Sequence, residues 1–112
     1  MSLTRQADPS GLDQHAAGAK MDKGKLRYDL YPPEVLESVV QILTFGAEKY
    51  SPDGWKSVPD ANNRYYSAMM RHLEAWRQGE EVDPESGMPH LSHVLCNVTF
   101  LSYLNKPEVK DD

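Results

Sequence analysis

Cysteine is almost missing from this chain. Cys96 stands alone among 112 residues, so no internal disulfide can form and a reducing cytoplasm is the expected compartment. Long apolar runs are missing too: none approaches the ~18 residues that a membrane span requires. No signal-like apolar stretch follows Met1, and neither export nor a membrane partner is expected. Basic residues are outnumbered, 12 Lys and Arg against 17 Asp and Glu, for a formal charge of −5. That balance argues against a nucleic-acid partner, whose backbone calls for a basic face that releases counterions. A small phosphorylated ligand stays open, because it asks only for a few local cations or a metal ion bridging carboxylates to phosphates. No segment alternates with the two-residue period of a strand, no repeat recurs, and no glycine-rich phosphate loop of the Walker or dinucleotide type is found.

What remains reads as helix. A hydrophobic fraction of 39% with a mean hydropathy of −0.65 describes one soluble domain, of a size that often completes its core by oligomerising. Residues 1–19 carry few large apolar side chains and are expected to form a flexible arm, with His15 incidental. Lys20, Lys23, Lys25 and Arg27 then crowd around Gly24, either as a solvated basic loop or as a clamp in which Lys25 and Arg27 close over phosphate. Pro32 and Pro33 open a helix expected over Pro33 to Tyr50, since proline is tolerated in a first turn. Val35, Leu36, Val39, Val40, Ile42 and Leu43 make its apolar face, and Glu34, Glu37 and Gln41 a polar stripe. Lys49 suits the negative end of that helix.

A second helix is expected over Ala61 to Gln78, with Tyr65, Met69, Leu73 and Trp76 as its seam and Arg64 and Arg71 sharing another face. His72 could turn either way. Trp55, in the linker before it, suits either core packing or stacking on a base. The third helix, Met88 to Asn105, is ended by Pro107, and 106–112 is a charged tail. The fold class is therefore all-α: an antiparallel bundle of three main helices, with room for a short N-terminal one, spanning 20–105.

The third helix and the loop before it hold the densest chemistry. Glu80, Glu81, Asp83 and Glu85 precede a turn at Ser86 and Gly87, and His90, His93 and Asn97 follow on one helical stripe beside Leu91, Val94 and Leu95. Imidazole and carboxylate are both ligands for divalent ions, and i, i+3 spacing lets two side chains converge. A hydrogen-bonded polar stripe without metal explains the same pattern. The offset of His90, His93 and Asn97 repeats that of Glu34, Glu37 and Gln41. Cys96, within the apolar part of this helix, is expected to be a small core residue.

Six motifs in order resemble a known family: Lys20 to Pro33, Phe45 to Tyr50, Arg64 to Ala68, Arg71 to Trp76, Gly79 to Gly87 and His90 to His93. Together they are similar to the phage-associated dATP/dGTP diphosphohydrolase N-terminal family, and through it to the MazG-like all-α nucleoside triphosphate pyrophosphohydrolases. The resemblance implies hydrolysis of a (d)NTP, with dGTP or dATP as the preferred purine substrates, to the monophosphate and pyrophosphate, by a homo-oligomer in the cytoplasm. It also implies a divalent cofactor, Mg2+ or alternatively Mn2+. Glu34-Val35-Leu36-Glu37 matches the Glu-x-x-Glu metal element of the MazG-like enzymes, whereas His90-Leu91-Ser92-His93 stands where they carry Glu-x-x-Asp. The implied metal ligands are Glu34 and Glu37, completed by Asp83, His90 or His93. Glu37, Glu74 and Glu85 are the implied catalytic carboxylates, Glu74 or Glu85 acting on the attacking water. Lys25, Arg27, Lys49, Arg64 and Arg71 are the implied phosphate contacts. The competing expectation is a helical phage protein that binds a nucleotide or partner without turnover.

Overall fold

The computed structural model describes residues 6–108, and the chain divides into two units between Tyr31 and Pro32. In the first unit the described residues are held by turns. The Asp8 carboxylate is buried and accepts hydrogen bonds from the backbone N–H groups of Ser10 and Lys20, both at 2.6 Å. Those donors, Lys20 foremost, hold its carboxyl below the ordinary value. The Lys23 N–H donates to the Ala7 carbonyl at 2.6 Å, so the described part of the expected arm, residues 6–19, is tied to the basic segment that follows. A single 3-10 turn, Tyr28–Leu30, stands where a short N-terminal helix had room.

The second unit holds three helices, α1 (Pro33–Lys49), α2 (Ala61–Arg77) and α3 (His90–Leu104), with a 3-10 turn at Gly54–Ser57 between α1 and α2. The fold is all-α as expected, and among the described residues the only strand-like pairing is an isolated bridge between Val82 and Pro89. Proline sits in the first turn of α1, where its missing N–H costs nothing. The end of α2 is built by Gly79 at φ 100°. Its N–H reaches the Trp76 carbonyl at 2.9 Å and the Glu80 N–H reaches Ala75 at 3.0 Å. That paired arrangement satisfies the last carbonyls of the helix and turns the chain sharply.

α3 is the central element, packed most extensively on α2 and also on α1. Asn62 pairs with Asn105 and His72 with His90, so α2 and α3 run antiparallel. An aromatic group seals one end: Trp55 stacks on Phe100 at 4.6 Å, and Tyr65 lies 4.8 Å from Phe100. The Tyr65 hydroxyl donates to the Trp55 carbonyl at 2.7 Å. Core packing thus claims Trp55. Only Ile42 and Cys96 are buried apolar residues in the described chain, while His90, Ser92 and Asn97 are buried polar ones on α3. Leu36 and Val40 on α1, and Leu91, Leu95 and Val98 on α3, remain 37–56% exposed.

Candidate functional site

The loop between α2 and α3 is folded to bring carboxylates onto the start of α3. The Asp83 N–H donates to the Met88 carbonyl at 2.8 Å, and the His90 N–H to the Glu81 carbonyl at 2.9 Å. Inside this small hairpin the Asp83 carboxylate accepts from the Ser86 N–H at 3.1 Å and from the Ser86 hydroxyl at 2.8 Å. Gly87, at φ 73°, takes the turn that a side chain would resist. Burial pushes the Asp83 carboxyl up, but the Ser86 hydroxyl and N–H, with His93 beside them, outweigh it and hold the group below its ordinary value.

Three imidazoles converge above that loop. His90 is 3% exposed, and its Nε2 lies 2.7 Å from Glu80 Oε1. A carboxylate can only accept, so Nε2 carries the proton and the Nδ1 of the neutral ring keeps a lone pair. That Nδ1 is 2.8 Å from Nδ1 of His72. The ring of His72 in turn stacks on His93 with centroids 4.3 Å apart. His93 Nε2 lies 2.6 Å from the Ser86 hydroxyl, which itself donates to Asp83. Burial first, then the neighbouring His93, lowers the His72 pKa, and burial likewise lowers that of His93. Both rings are therefore held in the neutral form that ligates metals.

His72, Asp83 and His90 each offer one ligand atom, and the three atoms lie within 4.8 Å of one another. Two imidazole nitrogens and one carboxylate oxygen form a donor set suited to a divalent ion, and it leaves coordination positions for water or substrate. Beside the cluster opens a cavity of about 900 Å³, large enough for a nucleotide-sized ligand. His72, Asp83, Glu85 and His93 line one part of it. Lys49, Arg64 and Arg71 contribute cationic groups, and Trp55, Tyr65 and Phe100 an aromatic wall. Lys49 is paired with Glu85 at 2.7 Å, which raises the ammonium's pKa.

The motifs agree with what comparison with known proteins finds. Residues 15–112 match the family described as dATP/dGTP diphosphohydrolase, N-terminal. The chain belongs to that family. It is similar to a dATP/dGTP diphosphohydrolase of Salmonella phage PMBT28, 29% identical over 96 residues. The match covers 84% of this chain and 32% of that relative, so the chain spans about a third of the relative's length. No solved structure matches it.

Within this family member the nominated residues fall into three groups. Lys49, Arg64, Arg71, Asp83, Glu85 and His93 all line the cavity, and His90 joins Asp83 in the ligand cluster. Glu34 and Glu37 are exposed on α1, and neither lines the cavity nor belongs to the cluster. The reason lies along the helix axis: the α1 residues lining the cavity are Ile42, Leu43, Phe45, Gly46, Ala47 and Lys49, all in its C-terminal half, whereas Glu34 and Glu37 stand in its first two turns. Glu74 is likewise exposed on α2 outside the lining. Lys25 and Arg27 belong to the first unit, where both are exposed and Arg27 is held by Asp29 at 2.8 Å.

From the sequence, His72 is left open, able to join the inner polar cluster but with its side undecided, and neither Glu80 nor Ser86 is nominated as a site residue. A signal for His72 existed: Ala68 and Ala75 flank it at i−4 and i+3. Small residues on one stripe admit a neighbouring helix, and an imidazole between them therefore faces it. Nothing comparable marks Glu80 among the adjacent acidic residues.

Proposed function

We propose that this domain hydrolyses a purine deoxynucleoside triphosphate, dGTP or dATP, to the monophosphate and pyrophosphate with a divalent metal ion. The observation that carries the reading is the shared cavity, in which three cationic side chains, an aromatic wall and an imidazole–carboxylate cluster face one space in a member of this family. Lys49, Arg64 and Arg71 supply positive charge for a triphosphate of about four negative charges. Arg64 and Arg71 fork onto phosphate oxygens and stabilise the charge that moves to departing pyrophosphate.

His72, Asp83 and His90 would hold the metal, which when bound supplies a Lewis acid for the phosphate oxygens and a more acidic water. Ser86 keeps Asp83 oriented through two hydrogen bonds on one oxygen. Glu85, paired with Lys49 in the cavity, accepts the proton of the attacking water once substrate phosphate draws Lys49 away. Association into a homo-oligomer belongs to the same proposal: the exposed leucine and valine stripes of α1 and α3 support it.

The purified chain incubated with each common dNTP and a divalent ion, with products resolved by anion exchange, tests this. Monophosphate plus pyrophosphate from a purine deoxynucleotide is expected. Arg64→Ala and Arg71→Ala should each raise KM roughly tenfold, the loss of one charge-assisted contact of about 1.5 kcal/mol. Diphosphate or free nucleoside as product would refute the reaction, and no turnover of any nucleotide would leave a binding module.

A further inference from the structure

We infer that His72, His90 and Asp83 form a two-histidine, one-carboxylate centre selective for a first-row transition ion over magnesium, and that Glu80 is its positioning carboxylate. The inference rests on the proposed metal-dependent reading of this cavity, and names the ion class that the cavity would use.

Three observations converge. First, Nδ1 of His72 and Nδ1 of His90 are 2.8 Å apart. Adjacent donors bound to one ion at about 2.0–2.1 Å lie roughly 3 Å apart, so the two nitrogens already stand near the separation that a shared ion imposes. Second, the hydrogen bond from His90 Nε2–H to Glu80 at 2.7 Å fixes which nitrogen is free, and the free one is aimed at His72. A ligating histidine almost always gives its other N–H to a carboxylate in this way. The 97% burial of His90 makes that tautomer a durable feature, because bulk water cannot compete for Nε2. Third, the Asp83 carboxylate closes the set on the cavity side, held by Ser86, with an oxygen within 4.8 Å of one ring nitrogen of each histidine.

In the metal-free chain the short nitrogen–nitrogen contact is a hydrogen bond, His72 Nδ1–H donating to the His90 lone pair. Ligation moves the His72 proton to Nε2 and turns both lone pairs on the ion. His93 stays outside the set: its ring stacks on His72, and it is not among the three residues whose ligand atoms converge.

The donor types decide the ion. Magnesium favours an octahedron of oxygens and is held by carboxylates, phosphates and water. Two of three protein donors here are imidazole nitrogens, which suit zinc, iron, cobalt and nickel. The open positions suit water and phosphate oxygen.

Cobalt(II) added to the chelator-treated chain, without nucleotide, reads the site directly through its visible absorption and by calorimetry. One ion per chain is expected, with magnesium in about hundredfold excess failing to displace it. His72→Ala and Asp83→Asn should each abolish the absorption band or weaken binding at least tenfold, and His15→Ala in the first unit should leave it unchanged. Glu80→Gln should weaken binding about 10–100-fold at unchanged stoichiometry, the usual effect of losing an outer partner of a ligand. Glu80 is half exposed, so this variant keeps its fold, which helical circular dichroism checks for all of them. No cobalt binding by the wild-type chain, displacement by equimolar magnesium, or undiminished binding in His72→Ala would overturn the centre. Hydrolysis that needs only magnesium and survives His72→Ala would overturn it while leaving the proposed reaction intact. Cobalt bound at the triad with no nucleotide turned over would do the reverse.

Discussion

The same substitution, glycine to alanine, should have opposite effects at two positions of the second unit. Gly79 holds φ 100° at the end of α2, and a Cβ built there meets no atom within 4 Å. The whole cost of Gly79→Ala is therefore backbone conformation, about 1–2 kcal/mol for an L side chain in left-handed space. At 4–8 °C per kcal/mol for a domain of this size, Tm should fall by roughly 4–16 °C. Gly46 lies inside α1 with ordinary helical backbone, and its Cβ also meets nothing within 4 Å. Gly46→Ala therefore removes only the entropic cost of glycine in a helix. It should add up to about 1 kcal/mol and raise Tm by roughly 4–8 °C. Thermal unfolding followed by far-ultraviolet circular dichroism reads both. Hydrogen exchange adds a local check, because the strained turn should speed exchange of the Glu80 N–H, which closes onto Ala75. Shifts of the same sign, or a Gly79→Ala Tm within roughly 2 °C of wild type, would refute the account of how α2 ends.

Cys96 is 2% exposed, and burial pushes its thiol up to about 11. A thiol reagent at neutral pH should therefore label the native chain only as fast as it unfolds; immediate stoichiometric labelling would contradict that burial. His72 and His93 both have lowered folded values, so below the ordinary value of about 6.5 the unfolded chain binds more protons than the folded one. Their stabilising contribution is complete above that pH and is lost on acidification towards the lowered values. The metal-free chain should accordingly show Tm falling between about pH 6.5 and pH 5, and a flat or rising Tm over that range would refute neutral burial of the two rings.

Helices were legible because their signals are local. Pro33 at a first turn, Gly79 after Gln78 and Pro107 after Asn105 are punctuation that short-range sterics enforce, and the expected ends differ from those observed by a residue or two. The interior was less legible. Periodicity puts Leu36, Val40, Leu91 and Leu95 on apolar faces, yet three helices of 15–17 residues cannot enclose every such face. Among the described apolar residues only Ile42 and Cys96 end up buried. The site was half legible for a related reason. His90 and Asp83 are close in sequence, joined by one hairpin. His72 reaches them across the antiparallel contact of α2 with α3, and which face of α2 meets α3 is a tertiary fact that the sequence signals only through Ala68 and Ala75. Glu34 and Glu37 drew attention through a motif, but a motif carries no information on which end of α1 the cavity opens beside.

The interior of the second unit is more polar than its length would suggest, and that polarity is itself an argument about use. His90, Ser92 and Asn97 are buried on one helix, where an unpaired polar group would cost about 1–3 kcal/mol. Each is paired: His90 with Glu80 and His72, Ser92 with Ser38 at 3.1 Å, Asn97 with the His93 carbonyl at 2.9 Å. Among the described residues no buried side-chain nitrogen or oxygen is left without a partner. Leucines at the same positions would stabilise a bundle by burial alone, with no network to satisfy. The chain instead leaves Leu36, Leu91 and Leu95 on outer faces and keeps imidazole and amide at the cavity. Satisfied polar groups in a core act as fixed geometry, since moving one leaves another unpaired. That rigidity suits a ligand centre whose donors must hold position before anything binds.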